Sequence, residues 1–176
     1  MSDSWIQTFS GSKFNFLDPT PESIEIEDIA HSLSRICRFT GHVKCEHYSV
    51  AQHSVLVSLN CNPEDTLHGL LHDASEAYIS DLSSVLKRTY ILKDYKVLEH
   101  KIQSMIYEKF KLSIAEPVSV KQTDIRMLAT EARDLMSPLH PDWVQPCEPY
   151  SFTIVPMSPS EAKTAFLARF HELTGI

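Results

Sequence analysis

Residues 63–79 read PEDTLHGLLHDASEAYI, and this stretch decides which fold the rest of the chain can build. Its apolar residues recur at the three- and four-residue spacing of a helix. They are Leu67, Leu70, Leu71, Ala74 and Ala77. Pro63 suits the first position of a helix and Asn62 the cap before it, so we predict one helix over the whole stretch. His72 and Asp73 lie inside this apolar surface, where an unpaired carboxylate is costly to desolvate. The pair therefore needs a metal ion or a hydrogen-bond partner.

The neighbouring segments also predict helices, because their apolar residues follow the same spacing. The predicted helices run from residue 26 to about 41, over about 49–59, and over 94–110, 117–136 and 161–173, with a short turn or helix capped by Asp81. Residues Trp5 to Leu17 predict a β-hairpin around Gly11, and Tyr150 to Val155 a short strand that pairs with it. We expect an all-α helical bundle with a small accessory β-sheet.

Composition sets the broad class of the protein. The 176 residues predict a single domain, 1–176, and 4 glycines against 10 prolines favour helices over a turn-rich sandwich. A net charge of −7 argues against binding to a nucleic-acid polymer. No apolar run approaches the roughly 20 residues that span a bilayer, and no secretory leader is visible. The 4 cysteines form no CxxC pair. We expect reduced thiols and a soluble, cytoplasmic protein without a membrane partner.

Two further residues are candidate ligands for the site that holds His72 and Asp73. His53 and Asp124 lie among apolar neighbours on separate predicted helices, and helical bundles build metal sites from such side chains on facing helices. A His-Asp dipeptide alone is weak support, since this composition gives about 0.5 by chance. Taken singly, His53 also fits a core histidine bonded to a carbonyl, Asp124 an exposed residue beside Lys121, and the dipeptide an internal polar pair.

Four strings of the sequence resemble one enzyme family. They are DIAHSLSRICRFTGH at 28–42, YSVAQHSVLVS at 48–58, LLHDASEAYISDLSSVLK at 70–87 and VKQTDIRMLATEARDLM at 120–136. They are similar to the HD-domain phosphohydrolases, in particular the small branch with bacterial 5'-deoxynucleotidases and phage dATP triphosphohydrolases. The resemblance implies the helical HD fold. It also implies that the metal ligands are His53, His72, Asp73 and Asp124.

The donor set indicates the type of metal. Two imidazoles with two carboxylates suit zinc, cobalt, manganese or iron better than a bare magnesium site, although magnesium fits a second site. Such a metal acidifies water for attack on phosphorus. No side-chain nucleophile is needed, in keeping with the lack of a GxSxG or P-loop string.

Two acidic residues are the candidate catalytic groups. Glu76 follows His72 by four residues, which on a helix places both on one face, so Glu76 is expected to orient or deprotonate the water. A surface glutamate is the alternative. Asp81 matches the family aspartate that transfers a proton toward the leaving group, and its alternatives are a helix cap or a ligand of a second metal.

The resemblance also assigns substrate contacts. Arg38 and Lys87 occupy the positions of phosphate-binding cations, with Arg35 and Lys44 as secondary candidates. For both Arg38 and Lys87 the alternative is a solvated surface charge.

Further pocket contacts are aromatic. Phe39 stands where the family has a tryptophan against the nucleoside, so it stacks on the base, crowds a ribose 2'-hydroxyl or simply packs in the core. His31 lies on one helical face with Arg35 and is a candidate pocket residue. His68 is expected to be structural, because HGLLH lacks the glutamate of a zincin motif. The string TEARD at 130–134 fits an ion pair or an interface as well as a substrate contact.

The expected function is a metal-dependent deoxynucleotide phosphohydrolase. A dNTP triphosphohydrolase of the dATP type is favoured, a 5'-deoxynucleotidase releasing phosphate from dNMPs is the alternative, and a non-catalytic nucleotide sensor is the alternative of another class. A helical nuclease conflicts with the net charge of −7. By resemblance we expect a homo-oligomer, a dimer or hexamer, in the cytoplasm, which is the host's if the protein is phage-encoded.

Overall fold

The computed structural model describes residues 4–176, most of which are helical. The strands are β1 (Trp5–Gln7) and β2 (Lys13–Asn15). The α-helices are α1 (Ile26–Leu33), α2 (Val50–Asn60), α3 (Thr66–Leu71), α4 (Glu76–Ile79), α5 (Ser84–Lys87), α6 (Lys93–Lys109), α7 (Val118–Leu135) and α8 (Pro159–Thr174). Short 3-10 turns cover Pro21–Ser23, Arg38–Gly41, Pro63–Asp65 and Tyr90–Leu92. The expected mostly helical fold with an N-terminal hairpin is confirmed.

Helix α2 lies at the centre of the packing, against α3, α7 and α8. Its start is fixed by Ser49, whose hydroxyl accepts a hydrogen bond from the Gln52 amide. Residues 50–55 are all buried, so this helix presents its side chains to neighbours on all sides. Any polar side chain on it, His53 included, must find its partner inside the protein.

Helix α8 begins where the capping rules predict. Ser158 and Glu161 form a capping box, and Pro159 occupies the first turn. Gly175 ends the helix with a positive φ of 71°, which glycine adopts readily. Phe166 and Phe170 of this helix are buried in the larger apolar cluster with Leu33 and Leu70.

The helix predicted over residues 63–79 is wrong as a continuous element. The chain forms α3 and α4 with a turn at residues 72–75 between them. In this turn the amides of Ala74 and Glu76 donate to the carbonyls three residues earlier, of Leu71 and Asp73. Three-residue bonds wind the backbone more tightly than an α-helix does. Asn62 precedes the opening turn as predicted, but its side chain makes no cap hydrogen bond.

The first helix also ends earlier than predicted, at Leu33 instead of near residue 41. Phe39 and Thr40 both have a φ of 55°, a left-handed conformation that no right-handed helix accommodates. The backbone before them is extended instead, and the Arg38 amide donates to the Tyr48 carbonyl. Arg38 therefore stands on a turn held against the start of α2.

The strand predicted for Tyr150 to Val155 does not form, and the sheet of the described residues has two strands only. Trp5 pairs with Asn15 in the antiparallel hairpin. The segment 150–155 lies along α7, where Arg133 donates to the carbonyls of Tyr150 and Phe152 and Asp134 accepts from the Ile154 amide. Side chains thus satisfy the backbone groups that a sheet would have used.

The cap predicted at Asp81 is wrong. Helix α5 begins at Ser84, and Ser83 occupies the cap position. Among residues 4–176, no helix combines the length and apolar content needed to cross a membrane.

Candidate metal centre

Side chains from three parts of the fold converge on one point. His53 comes from α2, His72 and Asp73 from the turn after α3, and Asp124 from α7. The Nε2 atom of His53 lies 3.3 Å from Nε2 of His72, 3.7 Å from Oδ2 of Asp73 and 3.5 Å from Oδ1 of Asp124. Nε2 of His72 lies 3.3 Å from the same Asp73 oxygen. The four predicted ligands thus form a cluster in which His53, His72 and Asp73 lie close enough together to hold a metal ion and Asp124 lies beside His53.

These separations fit donors that share one ion. Metal–ligand bonds of about 2.1 Å in tetrahedral geometry place neighbouring donors about 3.4 Å apart. His53, His72 and Asp73 form a group that could hold a metal ion.

Both imidazoles are oriented through their other ring nitrogen. Nδ1 of His53 lies 2.6 Å from Oε1 of Glu131, and Nδ1 of His72 lies 2.8 Å from the Gly69 carbonyl. Because both partners are acceptors, Nδ1 is the donor in each of these hydrogen bonds, and Nε2 of each ring faces the other predicted ligands. The 3.3 Å between the two Nε2 atoms requires a proton or a metal ion between them. This geometry fits a shared proton as well as a shared metal ion.

The electrostatics of the cluster also favour positive charge. Burial alone would lower the pKa of His72, but the neighbouring carboxylates of Asp73 and Asp124 raise it to about 9. Burial opposes ionisation of Asp73 and Asp124 too, yet the two histidines hold the pKa of each carboxyl well below its usual value. The site thus attracts positive charge in the form of protons and would attract a metal ion in the same way.

Arg38 lies against the cluster. Its Nη1 is 3.5 Å from Oδ2 of Asp73 and its Nη2 is 3.1 Å from Oε2 of Glu131. Its Nε is buried and has no hydrogen-bond partner among the described residues. Burial would lower the pKa of Arg38, but the carboxylates of Glu131 and Asp73 raise it above its ordinary value. The guanidinium is therefore charged, with donor capacity left over.

Glu76 and Lys87 form an ion pair next to the cluster. Lys87 lies 3.3 Å from Oε1 of Glu76 and 2.8 Å from Oε1 of Glu99. The other Glu76 oxygen, Oε2, is buried without a partner among the described residues. Burial, followed by the charges of Asp73 and Asp81, raises the pKa of Glu76 well above its usual value. Glu76 is thus a buried group instead of the surface glutamate that was the alternative.

Asp81 and Phe39 lie close to this region but make fewer contacts. Burial, with the charge of Asp73, raises the pKa of Asp81, which makes no hydrogen bond or ion pair within residues 4–176. Phe39 lies beside Arg38, whose guanidinium carbon is 5.5 Å from the ring centroid. Phe39 is only partly buried, so core packing does not account for it fully.

His31 and Arg35 show no contact with the cluster. The His31 ring stacks on Phe9 with 3.5 Å between centroids, and Arg35 donates to the His31 carbonyl. Both line a cavity of about 410 Å³ between the hairpin and α1. A second cavity, of about 740 Å³, is lined in part by Glu76 and shares Tyr78 with the first. His31 and Arg35 thus belong to a neighbouring compartment.

The structure distinguishes between the alternatives that the sequence left open for Asp124 and His53. Lys121 donates to Oδ2 of Asp124 at 2.9 Å, so the aspartate faces both a lysine and the cluster. His53 is completely buried but bonds a carboxylate instead of a carbonyl. His68 bonds the Ser113 carbonyl at 3.0 Å, in keeping with a structural role.

Glu131 was predicted only within the string TEARD at 130–134, as part of an ion pair, an interface or a substrate contact, and not as a partner of the metal site. It follows Asp124 by seven residues, two turns on one face of a helix, and this spacing could have placed it beside His53. Tyr48, whose hydroxyl lies 2.8 Å from Oε1 of Glu131, was also missed, and no pattern in the sequence pointed to it.

Two bacterial proteins are similar to this chain along almost its whole length. The uncharacterized protein YfdR of Escherichia coli K12 is 43% identical over 174 residues, which cover 97% of this chain and 96% of that protein. An uncharacterized protein of Rhodobacter capsulatus is 32% identical over an alignment of 191 positions, which cover 98% of this chain and 97% of the relative. No family model matches the sequence. The chain belongs to the protein family that includes YfdR of Escherichia coli.

Proposed function

We propose that this protein is a metal-dependent phosphohydrolase that acts on nucleotides. The observation that carries the proposal is the approach of two imidazole nitrogens and two carboxylates within 3.3–3.7 Å, with the Arg38 guanidinium beside them. A cation and an arginine next to each other are what a phosphate group needs for binding. The resemblance of the sequence to HD-domain phosphohydrolases supports the same chemistry.

The residues of the chain divide the work of hydrolysis. A divalent ion held by His53, His72, Asp73 and Asp124 would supply Lewis acidity toward water and a phosphoryl oxygen. The unpartnered Nε of Arg38 would donate to another phosphoryl oxygen. We assign the phosphorus nearest the sugar as the point of attack by analogy with the resembled family.

Two carboxyl groups would move the protons. The unpartnered Oε2 of Glu76 would accept the proton of the attacking water, and its raised pKa makes it a stronger base than an ordinary glutamate. As the bond between phosphorus and the sugar oxygen breaks, that oxygen needs a proton. Asp81, whose pKa is raised by burial, would supply it.

The substrate is proposed on two different grounds. The sequence resemblance favours a deoxynucleoside triphosphate of the dATP type. The ion pairs favour the second candidate, a dNMP, because the three cations nearest the cluster, Arg38, Lys87 and Lys121, are each already paired with carboxylates. Free positive charge for the outer phosphates of a triphosphate is therefore scarce at this site.

Product analysis separates these candidates. The purified protein, stripped of metal and then supplied with manganese, cobalt, zinc or magnesium, is incubated with each dNTP, NTP and dNMP. Tripolyphosphate from a dNTP identifies a triphosphohydrolase, and orthophosphate from dNMPs alone identifies a 5'-deoxynucleotidase. Nucleotide binding without any turnover would contradict both and would leave a sensor.

The proposed partners are the deoxynucleotide and further copies of the same chain. By resemblance we propose a homo-oligomer, a dimer or hexamer. Light scattering coupled to gel filtration tests this directly, since a single species at the monomer mass of 20.0 kDa would contradict it.

A further inference from the structure

Glu131 of α7 has no exposed surface, and both of its carboxylate oxygens are in use. Oε1 accepts hydrogen bonds from Nδ1 of His53 at 2.6 Å and from the Tyr48 hydroxyl at 2.8 Å. Oε2 accepts from Nη2 of Arg38 at 3.1 Å. A carboxylate buried this deeply is costly unless it is paired and hydrogen-bonded, and these three donors meet that requirement.

The contacts of Glu131 close a ring of four side chains. From Glu131 the ring passes to His53, whose Nε2 lies 3.7 Å from Oδ2 of Asp73. That same Asp73 oxygen lies 3.5 Å from Nη1 of Arg38, which returns to Glu131 through Nη2. One carboxylate therefore fixes an imidazole of the proposed metal centre and the guanidinium of the proposed phosphate site at once.

We propose that Glu131 is a positioning residue that couples metal binding to phosphate binding. The inference rests on the proposed function, in which His53 is a metal ligand and Arg38 contacts phosphate. By accepting the Nδ1 proton, Glu131 keeps the Nε2 lone pair of His53 directed at the cluster. By accepting from Nη2, it holds Arg38 so that Nε remains unpaired. Glu131 itself touches neither the metal nor the substrate.

The substitution Glu131→Gln tests both links with almost no change in volume. A glutamine amide has one acceptor oxygen, and its NH₂ group must then face either the Nδ1 proton of His53 or the N–H groups of Arg38. In one of the two links, two hydrogen-bond donors then face each other. We expect metal affinity to fall by about 10- to 100-fold, the usual effect of losing an outer partner of a ligand histidine. We expect KM for the nucleotide to rise in the same variant.

The first measurement is a Co²⁺ titration of the metal-free protein, followed by visible absorption. Wild type, Glu131→Gln and the control Thr130→Val are compared. Thr130 is the fully buried neighbour on α7, and its hydroxyl donates to the Arg126 carbonyl and accepts from the Tyr150 amide. This control therefore removes two hydrogen bonds of the same helix without touching the ring. Weaker binding and an altered Co²⁺ spectrum in Glu131→Gln alone are expected. An unchanged affinity and spectrum in that variant would overturn the inference.

The measurements on wild type distinguish a failure of this inference from a failure of the proposed function. If wild type binds Co²⁺ but hydrolyses no nucleotide, the proposed function fails while the comparison of variants still decides the role of Glu131. If wild type binds no Co²⁺, both fail.

A second measurement does not need the variant to fold. Long-range ¹H–¹⁵N spectra of zinc-loaded wild type identify the protonated nitrogen of each histidine. Protonation of Nδ1 of His53 is expected, and protonation of Nε2 would overturn the inference.

Discussion

His72 and Asp73 are adjacent in the chain, yet their side chains reach the same point, with Nε2 and Oδ2 only 3.3 Å apart. On a regular helix adjacent side chains diverge, since the residues that face each other are three or four apart. Both residues belong to the turn at 72–75, whose three-residue hydrogen bonds wind the backbone more tightly than an α-helix. The approach of the two side chains thus occurs where the helix is interrupted.

For a single catalytic residue, Glu76→Gln should strongly reduce turnover and leave metal binding intact. The amide cannot accept a proton, so we expect kcat to fall by about 10²- to 10⁴-fold, the usual contribution of a general base. Because Glu76 is proposed to act on water instead of holding the metal, metal affinity should change little.

The matched control for Glu76→Gln is Glu99→Gln, which removes the other carboxylate bonded to Lys87. It should keep near wild-type turnover. Steady-state kinetics on both variants, with metal content measured in parallel, check the prediction. Equal losses in the two variants would mean that Glu76 matters only through its ion pair with Lys87.

At the scale of the elements, Gly69 allows α3 to pack closely against α2, because it has no side chain. A Cβ added to Gly69 would lie 2.9 Å from Sγ of Cys61, closer than packed Cβ atoms approach, and 3.1 Å from Cα of Ser58, closer than most do. The Gly69 carbonyl also accepts from Nδ1 of His72. The close packing of these helices and the orientation of a proposed ligand thus depend on the same residue.

Gly69→Ala should therefore weaken both stability and metal binding. We expect a loss of about 1–3 kcal/mol in the free energy of unfolding, as for other overpacked sites. Urea denaturation and metal titration measure the two effects. The double variant Gly69→Ala with Cys61→Ala removes the sulfur contact but leaves the backbone contact, so it should recover only part of the stability. Full wild-type stability in Gly69→Ala alone would contradict this packing.

The segment 150–155 gives a pH-dependent prediction. The hydrogen bond from Arg133 is the largest effect on Asp134, and with the Ile154 amide it outweighs burial and lowers the carboxyl pKa. A lowered pKa stabilises the fold at pH values above the ordinary pKa of about 3.9. That stability is lost as the pH falls from there through the lowered pKa of Asp134 in the folded protein.

Asp134→Asn should cost roughly 1 kcal/mol near pH 7, because it keeps the shape and loses the charge-assisted bonds. The difference from wild type should shrink below about pH 4. Asp142→Asn, whose aspartate side chain is 91% exposed, is the control. Denaturation curves at several pH values check this, and a difference that is constant across the pH range would contradict the ionic role.

At the scale of the whole molecule, the proposed centre draws on segments that lie far apart in sequence, at residues 53, 72–73 and 124. Most helices could be predicted because they depend on local apolar spacing, and the start of α8 depends on the local sequence around Ser158 and Pro159. The caps predicted at Asn62 and Asp81 do not form. The four candidate ligands were predicted from the resemblance of their strings to a family. The turn at 72–75 could not be predicted, because the apolar spacing continues through it without a break. The partnership of Glu131 with His53 was not predicted, although its seven-residue spacing from Asp124 could have indicated it.

A bound ion would link these segments and stabilise the folded chain. For a ligand at about 100 times its dissociation constant the gain is about 2.7 kcal/mol. Thermal denaturation with and without Mn²⁺ should show a higher Tm when the metal is present, and a chelator should reverse the shift. A Tm that is insensitive to metal would contradict a centre built from three segments.

The most direct test of the metal centre is a calorimetric titration of Mn²⁺ into chelator-treated protein, with Asp124→Ala and the control Asp142→Asn beside wild type. We expect one tightly bound ion per chain in wild type and in the control. In Asp124→Ala we expect the affinity to fall by at least about 100-fold, more than the loss of an outer partner of a ligand causes. No binding in wild type, or equal binding in Asp124→Ala, would contradict it.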